Sequence, residues 1–138
     1  DGAGPSNLDI FDVLKVLRFS MLAYWGLPSF NPVVMTCPTL LKMASQGGAN
    51  AIGHGDILGS VKEGKKADLI LLNIDQPHIT PTQNLVNTIV DAANGHDVID
   101  SIINGKLVMK NREVLTLDEE RIRFEATQHM NEIIKRAY

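Results

Sequence analysis

Apolar residues in the first part of the chain recur at helical spacing. Leu8, Phe11, Leu14, Leu17, Met21 and Tyr24 or Trp25 fall on one face, which predicts a helix over 8–25. Asp9 and Asp12 near its start and Lys15 and Arg18 further along suit the helix dipole. Ser6 or Asn7 is placed to cap it, and Gly26 to stop it. Leu27–Val34 carries two prolines and should be irregular. A second helix restarts at Thr36-Cys37-Pro38, with Leu40, Leu41, Met43 and Ala44 as its buried side. Gln46-Gly47-Gly48 should interrupt it, leaving Ala49–Ile52 as one more turn before a loop at Gly53–Gly55.

From residue 56 the pattern shortens to strand-like runs. Gly59–Leu72 reads as a tight strand pair, with Lys62, Glu63, Lys65 and Lys66 in a solvated turn. The apolar run at 67–72 leaves no solvent face, so it should be a buried strand. Prolines at 77 and 81 break regular structure, and Leu85–Ala93 reads as a short helix ended by Asn94-Gly95. Val98–Ile103 and Lys106–Met109 flank Asn104-Gly105, the strongest short hairpin signal, because both central residues of a type I′ turn need positive φ. The second strand should continue to Leu115 through a turn near Asn111. Such a unit has three to five strands, too few for a sandwich of its own, and needs strands from elsewhere. Thr116-Leu117-Asp118-Glu119 reads as a capping box opening a last helix. Its stripe of Ile122, Ala126, His129, Met130, Ile133, Ile134 and Ala137 predicts a docking helix, with a free partner-binding helix as the alternative.

Composition narrows the classes of function. The 138 residues are 44% hydrophobic and 21% charged, enough to bury a core. A net charge of −3 with scattered signs leaves no basic stripe for nucleic acid. The single Cys37 excludes an internal disulfide and fits a reducing compartment. With no apolar run of membrane-spanning length and no visible signal peptide, the expected location is cytoplasmic.

Several words of the chain resemble one family. Gly59-Ser60-Val61, then Gly64-Lys65-Lys66-Ala67-Asp68-Leu69-Ile70, is similar to the return into the small β-sandwich of metal-dependent amidohydrolases. Asp1-Gly2-Ala3-Gly4-Pro5-Ser6-Asn7-Leu8-Asp9-Ile10-Phe11 resembles the loop and helix after the last barrel strand, with Gly4-Pro5 replacing a small pair. Met43-Ala44-Ser45 and Gly48-Ala49-Asn50-Ala51-Ile52-Gly53 fit as well. Gln76-Pro77-His78-Ile79-Thr80-Pro81, Ala92-Ala93-Asn94-Gly95-His96-Asp97-Val98 and Asn104-Gly105-Lys106-Leu107-Val108 resemble the branch of S-adenosylhomocysteine/methylthioadenosine deaminases and triazine hydrolases.

The resemblance implies an α/β chain that is the C-terminal segment of a TIM-barrel enzyme, an incomplete fold. Residues 1–55 would end the barrel, 56–115 would form part of the β-sandwich, and 116–138 the docking helix. The implied reaction is hydrolytic deamination of an amino-substituted heterocycle, with an adenosine derivative as the candidate substrate; guanine deamination and triazine dechlorination are the rivals within the family. The cofactor would be a divalent metal, zinc or iron. Asp1 matches the metal-binding aspartate, which in the family ligates the metal, accepts a proton from the metal-bound water and passes it towards the leaving amine. Ser6 and Asn7 are substrate-contact candidates. The implied partners are the remaining N-terminal portion of the enzyme and, as a homodimer, a second copy.

The other family ligands, a His-x-His pair and two later histidines, have no counterpart here. His54 and His96 read as loop residues, His78 as structural in a turn, His129 as packed on the last helix, and Cys37 as a small packed residue. Zinc takes three or four protein ligands, so this segment alone should neither hold metal tightly nor turn over substrate. The rival reading is a stand-alone α+β binding or assembly module on the same scaffold.

Overall fold

The computed structural model describes residues 8–31 and 33–137. The expected Ser6 or Asn7 cap lies outside them. The first helix, α1 (Ile10–Met21), starts two residues later than its apolar pattern does, because Asp9 caps it by accepting the Phe11 amide at 2.9 Å. It runs on as a π turn at Leu22–Gly26, so the stop at Gly26 holds. Phe11 and Leu14 are its buried side, whereas Leu8, Tyr24 and Trp25 are exposed.

The second helical stretch is continuous where the glycines predict a break. It comprises α2 (Cys37–Lys42), a π turn (Met43–Gly47) and α3 (Gly48–Ala51). A π turn adds a residue per turn and rotates the next helical segment about the axis. Leu40 is buried as expected, but Met43 and Ala44 are exposed, and Cys37 and Ala49 take their place inside.

Among the described residues the expected strand pair within Gly59–Leu72 does not form. Only β1 (Leu69–Leu72) is a strand, and its partner is distant in sequence. It is followed by α4 (Leu85–Asp91), capped by Asn84 accepting the Asn87 amide at 3.1 Å. A 3-10 turn (Gly95–Asp97) leads into β2 (Val98–Ile103), β3 (Lys106–Lys110) and β4 (Glu113–Val114). The four strands form one antiparallel sheet in the order β1-β2-β3-β4, with Leu69 opposite Ile102 and Ile103 opposite Lys106. Asn104 and Gly105 have φ of 51° and 77°, as the hairpin signal requires, and Asn111 and Arg112 repeat the device at 48° and 69°. The Asp68 carboxylate accepts the Asn104 amide at 2.6 Å and the Ala67 carbonyl accepts the Gly105 amide at 2.9 Å, which ties β1 to the hairpin tip. β1 is not buried as its composition predicts: its two central residues, Ile70 and Leu71, are exposed, Ile70 by 52%.

Two small cores join these parts. Leu14, Cys37, Leu40 and Val90 form one, with Leu17, Met35 and Leu41 packed against it. Phe11, Ile79 and Ala93 form the other, with Leu72, Ile89 and Val98 against it. α1 and α4 feed both, and the second core brings the sheet against α1. Arg18 braces the first core, donating through Nε to Asp91 at 2.7 Å and through Nη1 to the Met35 carbonyl at 2.9 Å.

Lys65 is not the solvated turn residue its neighbours suggest. Its Nζ donates to the carbonyls of Gly55 and Leu58 at 2.8 Å each and to Gln46 Oε1 at 3.1 Å, pinning the 53–66 loop to the helix. Lys62, Glu63 and Lys66 are exposed as expected. The last helix, α5 (Glu119–Ala137), is capped by Asp118, which accepts the Arg121 amide at 2.9 Å, and not by Thr116. Its apolar stripe, His129 included, is exposed along its length, so within the described residues it docks on nothing.

Gly59 and Gly53 separate two costs that a glycine can avoid. Both have left-handed φ, +84° and +75°, but a Cβ at Gly59 would lie 2.7 Å from Gln46 Cα, while Gly53 faces open space. In the intact protein Gly53→Ala should cost about 1–2 kcal/mol from backbone strain alone. Gly59→Ala should cost clearly more, because the helix backbone must move. Urea unfolding midpoints measure the difference, and equal losses would contradict the close approach.

Candidate functional site

Asp1, Ser6 and Asn7, the candidate site residues, lie outside the described residues. The described chain takes up directly behind them, at Leu8 and Asp9, and the geometry there is specific. Asp9 uses both carboxylate oxygens: Oδ1 caps α1, and Oδ2 accepts the Gly95 amide at 2.6 Å, from a residue 86 positions away in sequence. A shallow groove of about 390 Å³ opens beside this contact, lined by Phe11, Ile70, Gly95, His96 and Arg112 among others.

The 94–97 turn that meets Asp9 is held from several sides. The Asn94 side chain accepts the His96 amide at 2.8 Å, and Asp97 Oδ2 accepts the Asn94 amide at 2.8 Å, a reciprocal cap. Asp97 is 5% exposed and lies 3.0 Å from Nε2 of His78. Burial on its own would raise the Asp97 carboxyl, but the hydrogen bonds from His78 and the Asn94 amide outweigh it and hold the carboxyl below the usual carboxylate range. Arg112 donates through Nη1 to the His96 carbonyl and more weakly to those of Gly95 and Val98. The turn role expected for His78 is therefore borne out, and it has a named partner.

The remaining candidates are not brought together. His54 sits on an exposed loop, as expected; His96 is exposed but belongs to the 3-10 turn where a loop was expected, and His129 is exposed on α5, where packing was expected. Among the described residues no group of three or more His, Cys, Asp or Glu side chains could hold a metal ion. Cys37 is buried as expected; that burial, followed by the nearby Asp91 charge, pushes its thiol up and makes it a poor nucleophile. No helix among the described residues is long and apolar enough to cross a membrane.

Sequence reasoning missed the contacts of Asp9, Lys65 and Asp97. All three sit inside words singled out for their resemblance, so the words located them, but nothing local to the sequence showed what each would touch.

The chain matches the amidohydrolase family profile over residues 1–108. It is 40% identical over 126 residues to a 5-methylthioadenosine/S-adenosylhomocysteine deaminase of Desulforamulus reducens, covering 91% of this chain and 28% of that protein. A protein of the same name from Pelotomaculum thermopropionicum is 40% identical over 136 residues, 99% of this chain and 30% of the relative. Among solved structures, an adenosine deaminase from Xanthomonas campestris with bound zinc superposes with a TM-score of 0.78 at 27% identity, over 90% of this chain and 28% of that one. Atrazine chlorohydrolase from Arthrobacter aurescens, complexed with zinc, gives a TM-score of 0.72 at 25% identity, over 83% of this chain and 25% of that one. The chain thus spans less than a third of the length of these relatives.

Asp97 sets a pH dependence with a definite sign. Its folded pKa is lowered, so its contribution to stability is complete above the unfolded value of about 3.9 and is lost as pH falls below it. In the intact protein Asp97→Asn should cost about 1–3 kcal/mol at pH 6, and the gap to wild type should close below about pH 4. Urea midpoints from about pH 6 down to well below pH 4 check this; a gap that stays constant into acid would contradict it.

Proposed function

The chain belongs to the amidohydrolase family, and on that premise we propose that it is the C-terminal part of a metal-dependent deaminase acting on an amino-substituted heterocycle of the adenosine class. One observation carries this reading: 37% to 40% identity, over 91% to 99% of the chain, to relatives named 5-methylthioadenosine/S-adenosylhomocysteine deaminase. Triazine hydrolysis is the neighbouring alternative within the family, and its support is weaker, resting on structural likeness at 25% identity.

On this reading residues 1–55 close a barrel domain, 56–115 contribute the returning strands of a small sandwich, and 116–138 dock onto the body of the enzyme. The exposed face of β1 and the uncovered stripe of α5 support that division, since each leaves apolar surface for further polypeptide to cover. The described residues do not form a metal site by themselves. Asp1 is therefore proposed as one carboxylate of a site completed by residues beyond this chain, with zinc as the metal, in keeping with the zinc bound in the structural neighbours. Its carboxylate would carry protons between the attacking water and the leaving amine, a role that fits a carboxylate held close to the reacting atoms. Ser6 and Asn7, on the same loop, would contact the substrate. The 138-residue chain alone should not turn over substrate.

The test is ammonia release by the intact enzyme from 5′-methylthioadenosine and S-adenosylhomocysteine. We expect turnover of at least one, and a loss of about 10³-fold or more in kcat for Asp1→Ala, as for removal of a group acting in the transition state. Chloride release from a chlorotriazine with no ammonia from any adenosine derivative would overturn the substrate class. Unchanged kcat in Asp1→Ala would overturn the role of Asp1.

A further inference from the structure

We propose that the apolar surface at residues 22–31 is the contact through which two copies of this chain associate, with Phe30 of each copy seated in the groove that lies beside it on the other. The contact does not depend on the substrate or metal assigned above, so its test and the activity test fail independently.

Four observations point the same way. First, the surface is apolar and uncovered among the described residues. Tyr24, Trp25, Leu27 and Phe30 are 71%, 54%, 74% and 94% exposed, and the Tyr24 and Trp25 rings pack edge to face at 5.1 Å. Aromatic side chains are the ones enriched at the centres of protein interfaces. Second, Phe30 has a left-handed backbone, φ 49°, uncommon for a bulky residue, and its ring joins neither of the two cores. Its side chain gains packing only from something that covers it. Third, a projecting ring and a hollow adjoin. Leu22, Gly26, Leu27 and Asn31 line, with Phe30, a groove of about 470 Å³. A two-fold contact needs both parts on one surface, since each copy supplies the ring for the other's groove. Fourth, residues 19–41 contain no Asp, Glu, Lys, Arg or His, in a chain that is 21% charged. A two-fold sets a patch against its own copy, so a charge near the axis meets its like. An uncharged patch avoids that repulsion.

The area and composition also fit a second copy. At these exposures the four side chains present on the order of 600 Å². Exposed Pro28, Ser29 and Asn31 extend the surface towards the roughly 800 Å² that each partner buries in a standard interface. β1, read above as covered by the body of the enzyme, is wholly aliphatic. Here three of the four large side chains are aromatic and Ser29 and Asn31 rim them, the composition of contacts between separately folded chains.

The test is sedimentation velocity on the intact enzyme, from nanomolar to micromolar chain concentration. We expect wild type to form a dimer as concentration rises. Phe30→Glu should raise the dissociation constant about 100-fold or more, with the melting temperature of the monomer unchanged, because so exposed a side chain carries little of the fold. Leu27→Glu should act in the same direction. Hydrogen exchange gives a readout with no substitution at all: the amides of residues 22–31 in wild type should gain protection as concentration rises through the dimer range. The proposal is overturned if wild type stays monomeric throughout, or if the dimer survives both substitutions with its dissociation constant intact. It is equally overturned if those amides are protected at every concentration, which would put the enzyme's own remaining chain on this surface. Binding of monomeric wild type, but not of Phe30→Glu, to phosphatidylcholine vesicles would make the occupant a lipid surface and overturn it as well.

Discussion

A hydrogen bond from the Gly95 amide to Asp9 joins the start of α1 to the turn that leads into β2. It comes from residues 86 positions apart and lies beside the second core, where Phe11, Ile79 and Ala93 meet Leu72 and Val98. The apolar contacts supply most of the free energy that holds α1 near β1 and β2, but they are non-directional. A short charge-assisted bond has a direction and a length, and so fixes register where packing alone tolerates sliding. The buried Asp97 carboxylate does the same for the turn itself, since its desolvation is compensated only while His78 and the Asn94 amide stay in place.

What was legible in the sequence was what is decided locally. Asn104-Gly105 had to be a hairpin, because the turn needs two positive φ values and that pair supplies them at least cost. The spacing of Phe11, Leu14 and Leu17 had to be a helix. The existence of α4 and α5 followed from similar patterns. Boundaries were less legible: Asp9 caps α1, which starts later than its apolar pattern does, and Asp118 took the cap that Thr116 was expected to hold. Gly47-Gly48 did not break its helix, because the chain absorbed them in a π turn and a short α-turn. Lys65 reads as a surface lysine until three oxygens from two other segments converge on it. Such groups are found only by folding, since each partner is supplied from a different part of the chain.

The candidate site was legible only as wording. Composition and periodicity give no metal site, and the described histidines are not gathered into one. The likeness to the deaminase relatives is what suggests the chemistry. The same division explains the exposed apolar surface of β1 and α5. On the proposed reading, these faces would be covered by the rest of an enzyme of which the chain spans 28% to 30% of the relatives' length.

The measurement that tests the central claim most directly is anomalous diffraction at the zinc edge from crystals of the intact, zinc-loaded protein. The account predicts an Asp1 carboxylate oxygen about 2.0–2.2 Å from the metal, with the remaining ligands drawn from outside these 138 residues. A zinc ion bound elsewhere, with Asp1 turned away from it, would contradict the account.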